Sequence, residues 1–204
     1  MRAPEMVTVG TARLPKAAGL NRFTWDLTLA PPVDPGRQGS GGGRGSGPVV
    51  VPGNYTLRLI AAGKTVTQPL TIHIDPRNQK DGVTLADLRE QFQHNMRARD
   101  LVTEVNQLVA NLESARQRLR NASGAAADTL KRLDALREQL VTPAVRYSKP
   151  ELQAHIQYLY SLTTQADQKI GRDAVARLKV LRAELDQRQA EARALLGVRA
   201  VSMR

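Results

Sequence analysis

The sequence predicts an α+β fold in which a small antiparallel β domain precedes an up-down bundle of about four helices. Apolar residues alternate with polar ones as far as Ile74, and after Asp75-Pro76 they recur every three or four positions. Aromatic residues make up only 3% of the sequence, so the cores depend on Leu, Val and Ala, which suits packed helices. We divide the chain into a β domain over 1–77, a linker over 78–83, a bundle over 84–197 and a frayed tail over 198–204.

A hairpin forms the centre of the predicted β domain. Alternation predicts strands over 54–61 and 65–74, with one apolar face made of Tyr55, Leu57, Leu59, Ala61, Val66, Leu70, Ile72 and Ile74. Ala62-Gly63-Lys64 is the turn, where Gly63 supplies the positive φ that tight hairpins need. Pro52-Gly53 and Asp75-Pro76 close the unit, because proline has no N–H for the strand ladder.

Two further strands are predicted before the hairpin. Residues 22–29 alternate most clearly, with Phe23 and Trp25 on the apolar side, and Met6–Val9 is predicted as a short edge strand. We predict that Trp25 packs inward as a core residue, and stacking against a carbohydrate is the functional alternative for this side chain.

Residues 31–48 form a loop rich in Gly, Ser and Pro that is predicted to be disordered. Gly41, Gly43 and Arg44 superficially resemble a phosphate-binding loop. Such a loop follows a strand and opens a helix, whereas this one ends at Pro48 before another strand. Phosphate binding is therefore disfavoured.

Four helices are predicted after the linker. Thr84 and Asp87 form a capping-box pair that opens a helix reaching about Ala122. A break at 121–124 precedes a second helix, which ends before Thr142-Pro143, and the resulting turn implies an antiparallel helical hairpin. Ser148 is predicted to cap a third helix that runs to Ala166, and a fourth follows Gly171 and ends at the C-cap Gly197.

The sequence predicts no catalytic, cofactor-binding or metal-binding residue, and the chain is not expected to be an enzyme. Cysteine is absent, which excludes disulfides, thiolate metal sites and cysteine nucleophiles. His73, His94 and His155 show no metal-ligand spacing. No serine lies in a nucleophile-elbow motif, and we interpret the apolar stripes of the helices as ordinary core.

The net charge of +11 makes binding of nucleic acid or another polyanion the alternative function. The basic residues are mixed with acidic ones along the chain, which is typical of solvated helix faces. Arg116, Arg118 and Arg120 are the densest group, but residues two apart point about 200° away from each other on a helix. Nucleic acid is therefore not the favoured partner.

Several segments resemble the C-terminal region of large bacterial BNR-repeat, sortilin-like proteins, which are usually labelled glycosyl hydrolases. The resemblance is carried by Gly19–Leu27, Gly47–Leu59, Gly63–Ile72, Asp75-Pro76-Arg77 and Leu85–Phe92, and more weakly by Lys149–Ile156 and Ala166-Asp167. It covers most of the chain. The strand motifs are specific in combination, whereas the helical half would match many bundles.

The resemblance implies an Ig-like β-sandwich followed by a helical segment, without the β-propellers of the family. Propeller repeats carry Asp-box motifs of the type Ser-x-Asp-x-Gly-x-Thr-Trp, and this chain contains none. Activity of the family is expected in the propellers, so no catalytic residue transfers to this sequence. The implied function is a non-catalytic accessory or interaction module of a larger protein, whose partner is the propeller region or another protein.

The compartment follows from two conflicting expectations. The family is expected to be exported, whereas Met1–Met6 lacks the apolar run of a signal peptide, so the chain as written is expected to stay in the cytoplasm. No stretch of about 18 apolar residues is present, so no membrane span is predicted.

The number of strands is too small for a complete Ig-like sandwich, which needs about seven. The predicted apolar face of Phe23, Trp25, Tyr55, Leu57, Leu70 and Ile72 therefore needs a cover. The long first helix, a missing upstream segment and a partner chain are the candidates. We also expect at least one unpaired edge strand.

Overall fold

The computed structural model describes residues 15, 17–37, 47–121 and 123–197, and it has the predicted α+β architecture. The strands are β1 (Gly53–Ala61) and β2 (Lys64–Ile72), and the helices are α1 (Pro76–Lys80), α2 (Leu85–Leu119), α3 (Ala125–Glu138), α4 (Leu152–Thr163) and α5 (Arg172–Leu196). The predicted strand at Met6–Val9, the loop residues Gly41, Gly43 and Arg44, and the tail at 198–204 lie outside the described residues.

A hairpin forms as predicted, except that Lys64 begins β2 and does not belong to the turn. β1 and β2 pair in antiparallel register from Gly53 opposite Ile72 to Ala61 opposite Lys64. Ala62 and Gly63 form the turn with φ values of 47° and 72°, and positive φ at both central residues defines a type I′ turn. This turn matches the right-handed twist of the strands, which is why a two-residue loop suffices.

The predicted strand over 22–29 is wrong. Within this segment only Thr28 pairs with another strand-like residue, Val49, in an isolated bridge. The Asp26 carboxylate accepts hydrogen bonds from the Thr28 N–H (3.0 Å) and hydroxyl (2.6 Å), and Leu27 has φ 63°. This local turn competes with the ladder. Trp25 is consequently a half-buried loop residue that bonds to Thr28, and the prediction of a core residue is also wrong.

The linker prediction needs one correction, because a short helix occupies part of it. Asp75 caps α1 by accepting a hydrogen bond from the Arg77 N–H, and Pro76 is the first residue of that helix. The predicted capping box is confirmed, since Thr84 and Asp87 exchange side-chain and backbone hydrogen bonds at the start of α2. α2 has 35 residues and is about 52 Å long.

The four long helices pack as three columns, which corrects the simple up-down bundle. Asp134 of α3 pairs with Arg116 near the end of α2, whereas Thr163 at the end of α4 accepts a hydrogen bond from Asn95 near the start of α2. α3 and α4 therefore run back along α2 one after the other. They do not contact each other, and α5 contacts both and forms the third column.

The excursion over 141–151 explains why α3 and α4 share one column. The chain leaves after Leu140, whose carbonyl accepts a hydrogen bond from the Gln153 N–H (3.0 Å) on its return. Ser148 is not the predicted N-cap, because its hydroxyl donates to the carbonyl of Val145 (2.6 Å) within the excursion. Glu151 occupies the cap position of α4 instead.

The bundle core is almost entirely aliphatic and spans all three columns. Its fully buried large side chains are Leu101, Val105, Leu112, Leu133, Leu140, Leu152, Ile156, Leu181 and Leu185. Gly197 ends α5 in the left-handed conformation with φ 66°, as predicted for a C-cap. In the described part of the chain, no helix has the length and apolar character needed to cross a membrane.

Hydrogen bonds from two polar side chains of α2 hold the turn between α4 and α5. The Gln91 amide donates to the carbonyls of Thr163 (2.9 Å) and Ala166 (2.7 Å) and accepts from the Gln168 N–H (3.0 Å). Asn95 donates to the same Thr163 carbonyl. These bonds satisfy carbonyls that the end of α4 leaves without helical partners.

Candidate docking surface

The register of the hairpin gives it one apolar face and one polar face. Residues directly opposite each other lie on the same face, so Leu59 is beside Val66 and Tyr55 is beside Leu70, and Gln68 beside Leu57 is the polar residue on this face. The other face carries Asn54, Thr56, Arg58, Ile60, Thr65, Thr67, Pro69 and Thr71. The alternation in the sequence therefore predicted the two faces correctly.

The apolar face is uncovered along most of its length. Leu57, Leu59 and Val66 are 46%, 51% and 62% exposed. No Cα atom of either strand comes within 8 Å of a Cα atom of a described helix. Among the three candidate covers, α2 therefore leaves Leu57, Leu59 and Val66 uncovered. We refer to the face formed by Tyr55, Leu57, Leu59, Val66, Leu70 and Ile72 as the hairpin face.

The base of the hairpin, in contrast, is anchored. The Leu29 N–H bonds to the Pro48 carbonyl and the Val50 N–H to the Leu27 carbonyl, each at 2.9 Å. Leu29 and Val50 are buried. Gly47 lies so close that a Cβ there would be 2.0 Å from the Leu29 carbonyl oxygen. The prediction that residues 31–48 are disordered is wrong at this end, since Gly47 and Pro48 are both buried.

The loop before this base is tied to the bundle. The Val33 N–H bonds to the Thr103 hydroxyl (3.0 Å), and the Val33 carbonyl accepts from the Asn106 amide (3.1 Å). The hairpin thus projects from a base that is held to α2 through its preceding segment.

A cleft of about 540 Å³ lies where the hairpin base meets the bundle. Its lining includes Val50, Ile72, Phe92 and Asn95. The Oδ1 atom of Asn95 is buried and has no hydrogen-bond partner among the described residues. The cleft continues the hairpin face at Ile72, so apolar surface extends from the hairpin to the bundle.

The carboxylates near this surface serve as caps and ion pairs. Side-chain hydrogen bonds from Arg77 lower the pKa of Asp75 to about 2. The Thr84 hydroxyl lowers the pKa of Asp87. Burial raises the pKa of Tyr160 to about 12. None of these shifts brings a pKa closer to 7, where a general acid or base works best.

A second cleft of about 470 Å³ lies between α2 and α5. His94 is buried there, and its Nε2 atom has no hydrogen-bond partner in the described chain. Burial lowers the pKa of His94, and the charge of Arg97 lowers it further, while Glu90 raises it. Protonation of this imidazole is therefore costly in the folded bundle.

The structure does not bring the sequence-level candidate residues together. His73 follows β2, His94 lies in α2 and His155 in α4, and the described residues contain no group of three or more His, Asp or Glu able to hold a metal. Arg116 pairs with Glu113 and Asp134. Arg118 and Arg120 are exposed.

Sequence analysis missed three features of the hairpin and its base. These are the Asp26 turn, the left-handed conformation of Ala62 and the outward position of Pro69. An Asp two residues before Thr is a recognisable turn signal. The position of Pro69 follows only from the register.

Comparison with known proteins gave no match: no family model, no curated protein and no solved structure is significantly similar to this chain.

Proposed function

We propose that this chain is a non-catalytic interaction module of a larger exported BNR-repeat, sortilin-like protein. Its helical bundle is the scaffold, and the hairpin face is its docking surface. The observation that carries the proposal is the uncovered apolar face on a hairpin whose base is anchored. Contiguous exposed apolar surface of this kind is typical of sites that bind another polypeptide.

The stability of the hairpin also favours a partner that covers the hairpin face. A two-stranded hairpin is marginally stable on its own in water. Leu57, Leu59 and Val66 keep about half of their surface in water, and burying the rest would contribute about 1 kcal/mol each. A docked partner would therefore stabilise the hairpin as well as bind it.

We further propose that the hairpin is part of an Ig-like sandwich whose remaining strands come from the preceding part of the larger protein. The resemblance of 47–59 and 63–72 to that family supports this assignment. A second sheet packed about 10 Å away would cover the hairpin face. The polar face, which carries Arg58 and four threonines, would then face water.

The test is site-specific photo-crosslinking in cells that produce the protein. A photoreactive residue at Val66 lies on the hairpin face, and one at the adjacent Thr67 lies on the polar face of the same strand. We expect Val66 to give an adduct with a polypeptide containing propeller repeats, in the same chain or another, and Thr67 to give none. Equal labelling at both positions, or no adduct with such a polypeptide, would refute the proposal.

An enzymatic assay provides an independent check. The purified chain is expected to turn over no member of a broad panel of glycosides and peptides. Turnover that survives purification and disappears when one carboxylate is replaced would contradict a non-catalytic module.

The alternative function, polyanion binding, is favoured by the net charge of +11. It is weakened by the ion pairs that arginines form with carboxylates, as in Arg116–Asp134, Arg137–Glu113 and Arg182–Glu104. A salt titration with heparin or duplex DNA separates the cases. A specific site retains its affinity near 0.15 M salt, whereas general charge attraction is lost as screening increases.

A further inference from the structure

The antiparallel register determines which backbone groups of the hairpin point outward. Ala61 and Lys64 flank a two-residue turn, so they form a hydrogen-bonded pair, and the pair types alternate from there. The even-numbered residues of β1 from 54 to 60 therefore direct their N–H and C=O groups away from β2. On β2 the outward residues are the odd-numbered ones from 65 to 71.

The two outer edges differ in their ability to accept another strand. Pro69 is one of the outward residues of β2, and it has no N–H to donate. It lies between Thr67 and Thr71, so the gap falls inside that edge. The outward groups of β1 belong to Asn54, Thr56, Arg58 and Ile60 and form an uninterrupted edge. Proline on an edge strand is a known obstacle to strand addition.

We propose that the outer edge of β1, and not that of β2, accepts an additional strand from the partner polypeptide. This inference rests on the proposed function and names the way in which the partner attaches. Within the part of the chain that the structure describes, β1 pairs with β2 alone, so its edge is open to a third strand. Main-chain hydrogen bonds along this edge would supply affinity, and the hairpin face would supply side-chain selectivity.

The chemistry beside the edge indicates what kind of strand fits. Apolar residues at alternate positions of the added strand would lie beside Leu57 and Leu59 and would widen the hairpin face. Arg58 lies on the opposite face, and the chain carries a net charge of +11. Asp or Glu at the intervening positions would complement the charge of Arg58 and the positive charge of the whole chain. The occupant is therefore an extended strand of alternating apolar and acidic residues.

A peptide of alternating valine and glutamate, about eight residues long to match a typical strand, is the probe. Its binding to the full chain is measured by fluorescence anisotropy, and hydrogen exchange of the outward amides is followed in parallel. We expect the peptide to slow exchange at the amides of Thr56 and Arg58 and to leave those of Thr65 and Thr67 unchanged. A valine–lysine peptide of the same length is expected to bind more weakly.

Two matched variants distinguish the edges. Thr56→Pro removes an outward N–H from β1, and Thr67→Pro removes one from β2, and neither group belongs to the hairpin ladder. We expect Thr56→Pro to weaken peptide binding at least about tenfold, through loss of edge hydrogen bonds and access. Thr67→Pro should change the affinity by less than about twofold. Pro69→Thr should open the second edge and add a second binding site.

A further variant covers the case in which Thr56→Pro unfolds the hairpin. Arg58→Glu keeps the edge amides, and it should reduce the preference for the glutamate peptide over the lysine peptide. The proposal is overturned if the peptide protects the outward β2 amides or if both proline variants lose the same affinity. It is also overturned if the wild type does not bind the peptide, or if the outward β1 amides are already protected before the peptide is added. Crosslinking at Val66 tests contact with the hairpin face, whereas the peptide experiments test pairing with the outer edge of β1. A failure of docking is therefore distinguishable from a failure of strand addition.

Discussion

The hairpin and the bundle should behave as separate energetic units, and paired leucine substitutions test this. Leu185 is fully buried in the bundle, whereas Leu59 is 51% exposed on the hairpin. Leu185→Ala removes a core side chain and leaves a cavity, which costs about 2–5 kcal/mol. Against the 5–15 kcal/mol that is typical of a domain, this loss is large, so the helices should unfold at a clearly lower urea concentration.

Leu59→Ala should hardly affect the unfolding of the helices. Half of the Leu59 side chain is already in water, so the lost burial amounts to about 1 kcal/mol. This loss falls on the opening of the hairpin, because Leu59 is half exposed and no Cα atom of either strand lies within 8 Å of a Cα atom of a described helix. Exchange of the β1 amides should therefore accelerate roughly fivefold, which corresponds to about 1 kcal/mol.

Urea titration followed by circular dichroism at 222 nm measures the helices, and hydrogen exchange measures the hairpin in the same samples. In the wild type, the helices should be protected far more strongly than β1 and β2. The reasoning is refuted if Leu59→Ala shifts the helical transition by as much as Leu185→Ala, or if the strands exchange as slowly as the bundle core.

Three further changes have defined outcomes. Ala62→Asn should slow exchange of the β1 amides and stabilise the hairpin by up to about 1 kcal/mol, because the Asn-Gly pair suits the two positive φ values of a type I′ turn. Thr84→Ala should cost about 1 kcal/mol of bundle stability in urea titrations, through loss of the N-cap of α2. His94→Gln should reduce the loss of bundle stability on acidification below about pH 6.5.

The sign of the His94 effect follows from its environment. Burial holds the folded-state pKa of His94 below the ordinary histidine value of 6.5, so the unfolded chain binds a proton first as the pH falls. The bundle therefore keeps its full stability above about pH 6.5 and loses it progressively below that value. An acid titration of the urea midpoint that is identical in the wild type and the His94→Gln variant would contradict this assignment.

Local signals determined the elements that the sequence predicted correctly. The hairpin depends on alternation and on the turn at Ala62-Gly63, and the start of α2 depends on Thr84 and Asp87. Each involves residues within a few positions of one another, so the sequence alone contains the interaction. The same holds for Gly197, where the absence of a Cβ permits the left-handed end of α5.

Where local patterns compete, only the structure decided between them. Residues 22–29 alternate like a strand, but the Asp26 side chain bonds to Thr28 and turns the chain. Short connections between helices suggested a simple up-down bundle, but the hydrogen bond from Gln153 to Leu140 returns the chain to the column of α3. The energies of such alternatives are similar, and long-range contacts select between them.

The candidate site was the part least determined by sequence. Alternation identified the hairpin face, but whether that face is covered depends on where the helices pack, and α2 leaves Leu57, Leu59 and Val66 exposed. Pro69 was visible as a residue, yet only the pairing register places its ring nitrogen on the outer edge. Burial and edge geometry are relations between distant segments, so they are decided when the chain folds, whereas strand and turn preferences are already set by neighbouring residues.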